Sequence, residues 1–432
     1  MIIVSNTSEF MKAINSKTKV IHISRSMTFS FPISLPAGTT LKGLSQENGT
    51  LPSLFFSHSD GFIINGTTTI EDLSIVTMQD KKAILVAPQQ YEQDFGQVSL
   101  KNLELDGQIS LIFRNPTMTA DVKVENVHIN SSDTRTYLEQ PQKYGVNVLQ
   151  GAFTLYNFNP NQDSLVTANI TGLSIGSERH PAVGSGVFIS GFNDQGGQVK
   201  VSHLELGAIY STGLLPQGVS DFITGAVFVV YGATVEKLIQ NGKVVTYGVN
   251  DMVLDAWGTV KEWTVNEDVI SYGPSGVGFV NFGTVNYFKA EKGISTYGLG
   301  ARAYNQYDGT LKEGHFTNLH TFGDGAVGIQ ISKKVGKLVI EGDVITHGSV
   351  GQSLVKGVNV DLPAYALSIK DGGQVEELII KGNIITNGED VITVAMEEEG
   401  LLNLVALDGD IIANGKDSLS FENSKASQAF AK

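Results

Sequence analysis

Seven segments of this sequence close on a glycine at nearly constant spacing, and that regularity constrains the fold more than any other feature. The glycines are Gly248, Gly273, Gly298, Gly323, Gly348, Gly388 and Gly415, so successive intervals are 25, 25, 25, 25, 40 and 27 residues. Four residues before each glycine stands an aliphatic side chain: Val244, Val269, Ile294, Leu319, Val344, Ile384 and Ile411. Two before it stand Thr246, Ser271, Thr296, Thr321, Thr346, Thr386 and finally Ala413. Apolar and hydroxyl residues alternating with period two, rich in β-branched types, read as a short strand. A second strand precedes it, marked by pairs such as Val235/Leu238, Val260/Trp263, Val285/Phe288, Val335/Leu338 and Val375/Leu378. A third short run follows the glycine, as in residues 277–279, 302–304, 327–329 and 366–369. Three strands in about 25 residues make one coil of a three-faced solenoid, in which each unit buries its apolar face on its neighbours. The glycines are expected to turn corners at positive φ. The longer intervals predict loops inserted between coils.

The first half repeats more loosely. The phrases around Leu73, Leu103, Val127, Leu173 and Leu204 share an apolar–x–polar–apolar–x–apolar pattern, and a polar stretch, SSDTRTYLEQPQKYG, separates the middle ones. Parallel crossovers are right-handed as a rule. The expectation is therefore all-β: a single-stranded right-handed parallel β-helix of about 12 coils spanning 1–432 as one domain. Residues 7–16 read as a capping helix, with Thr7 or Ser8 as N-cap and Phe10, Met11 and Ile14 turned inward. Irregular coils fill 20–230, regular ones 231–415, and 416–432 form a polar tail without strand signal.

Charge narrows the partners. The formal net charge is −14 and only five arginines occur, Arg25, Arg114, Arg135, Arg179 and Arg302. So acidic a surface repels nucleic acid and anionic membranes. It also disfavours polyanionic glycans, which leaves neutral or weakly charged ones. No apolar window approaches the ~20 residues of a membrane span, so membrane insertion is not expected. With no cysteine, disulfides and thiolate metal sites are excluded. No basic leader precedes the first apolar run, so no signal peptide is visible; a secreted or cell-surface setting stays open.

The opening EFMKAI segment, the strand VIHI and the phrase I-x-L-P-x-G-x-x-L-x-G from Ile33 to Gly43 resemble the start of pectin-lyase-like parallel β-helix proteins. The resemblance implies the fold and an association with carbohydrate. It does not supply a chemistry, because that superfamily holds lyases, hydrolases, epimerases, tailspikes and adhesive domains. The N-T-D, G-H-G and R-I-K signatures of its polygalacturonase-like members do not occur. Of the lyase motif R-x-P-x-x-R only Arg114 and Pro116 remain, with Thr119 in the second arginine's place.

A glycosidase needs two carboxylates roughly 5–9.5 Å apart. The catalytic candidates are Glu178 (beside Arg179 and His180), Asp194, Glu205, Asp221 and Asp255; the plain alternative is that these are solvated turn acids. Arg302 interrupts an apolar column formed by Met252, Val277 and Val327. With Tyr304 it reads as a ligand anchor, or as a surface arginine paired with Asp308. Tyr247, Tyr272 and Tyr297 share a column with Phe322, His347 and Asn387, and form either a stabilising ladder or a sugar-stacking strip. His315 and His320, five apart on an extended segment, are expected on opposite faces. No histidine pair has metal-ligand spacing, and no metal or cofactor is expected.

Two functional readings follow. One is a carbohydrate-associated protein that binds or processes a neutral or weakly charged glycan. The other is a non-catalytic, adhesin-like rod or scaffold, able to associate with copies of itself as a trimer along its long faces.

Overall fold

The repeat folds because each coil places its apolar residues over those of the coil before. The computed structural model describes residues 1–45, 49–355 and 357–431, and it is an all-β parallel β-helix with one short helix near each end. The chain divides into two compact units. One comprises Met1–Pro141, Gln150–Tyr210 and Val230–Glu236; the other Gln142–Leu149, Ser211–Val229 and Lys237–Lys432.

In the first unit, strands Thr39–Gly43, Thr68–Val76, Asp94–Asp106, Thr119–Ser131 and Leu165–Ile175 pair in succession, all parallel. Leu73, Leu103, Val127 and Leu173 stand in one register column and are buried. The N-terminal helix spans Thr7–Asn15, and its N-cap is Asn6 rather than Thr7 or Ser8. The Asn6 side chain accepts from the Glu9 amide at 3.0 Å, while the Glu9 carboxylate accepts from the Ser5 amide at 2.8 Å. This reciprocal arrangement satisfies two backbone donors. Phe10, Ala13 and Ile14 face the core, and Met11 stays half-exposed.

In the second unit the register runs Val244–Val269–Ile294–Leu319–Val344–Ile384–Ile411, as the spacing predicts. Inside, Phe279 and Phe288 stack at 3.9 Å between ring centroids, with Trp263, Tyr304 and Phe316 packed against them. The repeat glycines depart from expectation: none of the seven adopts positive φ. Their reason is proximity. A Cβ on Gly273, Gly298, Gly323, Gly348, Gly388 or Gly415 would lie 1.7, 1.8, 2.1, 1.9, 1.9 or 1.7 Å from the carbonyl oxygen of the preceding glycine. Successive coils touch here backbone to backbone, and no side chain fits.

The 40-residue interval holds an antiparallel hairpin, Gly351–Val355 with Val358–Leu362. The tail also differs from its reading. It adds a strand, Leu419–Phe421, paired with Ile392–Met396, and a helix, Ser424–Ala429, capped by Asn423. His315 and His320 both occupy outward positions of Thr310–Thr321, because two successive residues, Thr317 and Asn318, face out between them and shift the alternation.

One set of strands is buried along its whole length. Val277–Asn281, Arg302–Gln306 and Val327–Ile331 show no exposed residue, nor do Gly151–Phe158 and Ser185–Ser190 in the first unit. Neighbouring residues of a strand point to opposite faces. Both faces are therefore covered, one by the core and the other by the chain's own loops.

Candidate functional site

The structure places the five predicted acids in different surroundings. Glu178 and Asp194 are exposed on separate turns, and Glu205 is half-exposed, 3.4 Å from His203 Nε2. Asp221 is exposed, and its carbonyl accepts from the Asn147 amide at 2.8 Å. Asp255 is fully buried in a column between Phe228 and Val280, and neither carboxylate oxygen has a hydrogen-bond partner. Burial drives its pKa well above the usual carboxylate range. It is a core residue, out of reach of any substrate. Among the described residues, no group of three or more histidine, aspartate or glutamate side chains is placed to hold a metal ion.

Arg302 and Tyr304 are interior as well, which corrects the anchor and surface readings alike. Arg302 is 5% exposed and its guanidinium donates to Gln330 Oε1, Gly300 O and Ser353 Oγ, each at 3.2 Å. Asp308 is not its partner; the arginine fastens the inserted hairpin through Ser353. Burial lowers its pKa to about 10, so it remains charged at neutral pH. Tyr304 is fully buried, with its hydroxyl donating to Gln306 Oε1 at 2.9 Å.

The aromatic column is a ladder. Thr246, Ser271, Thr296 and Thr321 are buried with the aliphatic residues, so the rings beside them project outward. Tyr247, Tyr272, Tyr297, Phe322 and His347 stack at 5.6, 5.1, 4.6 and 4.6 Å, with interplanar angles of 14°, 20°, 5° and 4°. Tyr272 and Tyr297 are 46% and 43% exposed. A sugar stacks on a ring face, but here each inner ring's faces are covered by its neighbours and only edges meet water. The geometry therefore favours packing over glycan stacking. Tyr272→Ala is expected to lower stability by about 1–2 kcal/mol, measured by denaturant unfolding. Unchanged stability with lost glycan binding would instead make the ladder a binding strip.

One polar cluster escapes the sequence reading. It lies in the first unit, where residues 132–141 cross over strands Lys82–Val86 and Gln108–Arg114. Arg114 pairs with Glu139, and both side chains are mostly buried. Gln150 Nε2 donates to the Glu139 carbonyl at 2.9 Å and to its carboxylate at 3.2 Å. The Lys82 ammonium sits 4.5 Å from the Tyr137 ring centroid, and the Tyr137 hydroxyl donates to Asp80 O at 2.9 Å. Burial works against ionisation of Glu139. Its own backbone amide, Arg114, Lys82 and Gln150 outweigh that and hold it below the ordinary carboxylate range. Burial also lowers the pKa of Lys82, against the opposing fields of Glu139 and Asp60. Arg114, the remnant of the lyase-like motif, is thus paired with a carboxylate. The cluster clamps a crossing segment onto the sheet. Its one available signal was the polar stretch itself, rich in groups that need partners once buried.

Glu139→Gln is expected to cost about 1–2 kcal/mol at neutral pH. Because the folded pKa is depressed, the ionic part of this stability is present above the unfolded value of about 4.3 and fades as pH falls through the folded one. Melting curves of both proteins should therefore converge in acid. A gap that is constant down to pH 2–3, roughly below that range, would show that charge plays no part.

Comparison with known proteins gives no match to this chain from any family model, any curated protein or any solved structure.

Proposed function

We propose that this protein is a non-catalytic scaffold built on a pectin-lyase-like β-helix, an adhesin-like surface presenter and not a glycan-processing enzyme. The observation that carries this reading is the cover over the second set of strands. An enzyme acting on a polymer needs an open strand face lined with reactive groups. Here the chain's own segments occupy that face in each unit, and Glu139, Tyr144 and Ser353 tether them. Glu139 pairs with Arg114, Tyr144 stacks on Phe282 at 4.6 Å between centroids, and Ser353 accepts from Arg302. Elsewhere the outward side chains satisfy one another across coils, as in Lys101–Glu125 at 2.8 Å and Lys292–Glu267 at 2.6 Å. The scattered candidate acids and the sealed Asp255 lend glycan processing less support.

The test is direct. Purified protein incubated with neutral and weakly charged polysaccharides should release neither reducing ends nor unsaturated sugars. Binding on a glycan array without turnover would be compatible with the scaffold and would name its ligand. Sustained product release, abolished by substituting one of the exposed acids, would overturn it.

A further inference from the structure

The last coil of the second unit has a different surface chemistry from the coils before it. Strand Leu401–Leu407 pairs in parallel with Gln374–Ile380, and among the described residues its other edge has no partner. Ile411–Ala413 and Leu419–Phe421 likewise pair on one side only. Val375, Leu378 and Ile380 are buried, but their register successors Leu402, Val405 and Leu407 are half-exposed. The terminal helix leaves them so. Outward, the change is sharper. Lys334 and Lys337 align with Gln374 and Glu377, and these align with Leu401 and Leu404, which are 47% and 67% exposed.

Natural edge strands are usually blunted by charge, proline or a bulge. This one carries seven residues without a charge, and all are apolar but Asn403, which donates to Glu376 at 2.6 Å. Its flanks are acidic: Glu397, Glu398 and Glu399 precede it, and Asp408 and Asp410 follow. Lys370 offsets Glu397 at 2.8 Å, while Glu398, Glu399, Asp408 and Asp410 are exposed.

We propose that this edge receives an extended segment of another polypeptide by strand addition, apolar at alternate positions and basic at both ends. Main-chain hydrogen bonds would supply affinity, and alternate side chains would cover Leu402, Val405 and Leu407. The flanking carboxylates select the partner. Pairing this strand with its own copy sets acid against acid in either direction: Glu399 against Glu399 when parallel, Glu399 near Asp408 when antiparallel. Like charges placed opposite each other destabilise a strand pair. A basic-flanked strand gains where a second copy loses.

The probe is a fluorescein-labelled peptide, KKVTVTVTKK, titrated against the full chain by anisotropy at low ionic strength. It should bind about tenfold or more tightly than EEVTVTVTEE and than KKSGSGSGKK. The double variant Leu401→Lys/Leu404→Lys, whose positions are solvent-exposed, should keep the parent's melting curve and lose about tenfold in affinity. Hydrogen exchange should show new protection confined to residues 401–413. Equal binding of both basic peptides would reduce the effect to charge alone and overturn the proposal. So would the absence of binding, or concentration-dependent self-association in sedimentation that Leu401→Lys/Leu404→Lys abolishes.

Discussion

Gly298→Ala is expected to destabilise the protein by about 3–5 kcal/mol, more than most core truncations on so small a change of volume. The added methyl would lie 1.8 Å from Gly273 O and 2.7 Å from the Pro274 nitrogen. Both are backbone atoms of the neighbouring coil, so neither can rotate away. Relief requires the coils to part, and parting them strains the adjacent pairing of Tyr297 N to Ser271 O at 2.8 Å. Gly293→Ala is the matched control. Its Cβ would meet only Asn318 atoms, at 3.7 and 3.9 Å, and it should be neutral or slightly stabilising. Chemical denaturation of the two variants checks both statements. Equal effects would mean that the glycine column serves backbone freedom and not close approach.

The second large effect has the opposite sign. Asp255→Leu should stabilise the protein by about 2–4 kcal/mol at neutral pH, since it replaces a sealed, unpartnered carboxylate with an apolar side chain of similar shape. The pH dependence gives a sharper check. Burial raises the folded pKa of Asp255. The unfolded chain therefore releases this proton first, near pH 4 or roughly there, and wild-type stability declines as pH rises from that point toward the folded value. The advantage of leucine should be smallest in acid and grow with pH. If Asp255→Leu proves destabilising at every pH, the carboxylate has a partner in solution.

Much of the architecture was legible because a solenoid writes its contacts into its spacing. Val244, Val269 and Ile294 recur every 25 residues, and each lies directly over the last. The glycine column was equally visible, yet its cause was misread. Residue type shows that no side chain is wanted and does not show whether a dihedral angle or a neighbour forbids it. Arg302 and Asp255 show a second limit. Strand periodicity assigns one face to solvent, but in the second unit the hairpin and residues 142–149 reach that face, and nothing in a two-residue alternation announces them. The Lys82–Arg114–Glu139 cluster was hidden for a related reason, because its members come from separate, non-equivalent coils. At the chain's end, the strand Leu419–Phe421 has only three residues among polar neighbours, too few for a period to emerge.

The hairpin between Gly348 and Gly388 has a consequence for how such a chain can change its length. It adds 15 residues beyond the usual interval (40 − 25), yet a Cβ on Gly388 would still lie 1.9 Å from Gly348 O, within the 1.7–2.1 Å spanned by the column. The corner therefore behaves as a splice point: sequence enters and leaves without shifting the layers above and below. A foreign epitope placed there would be displayed at no cost to the core. Excision of residues 274–298 should likewise bring Gly323 down onto Gly273, leaving a shorter protein with its stacking intact. Duplicating that segment would lengthen it by the same step.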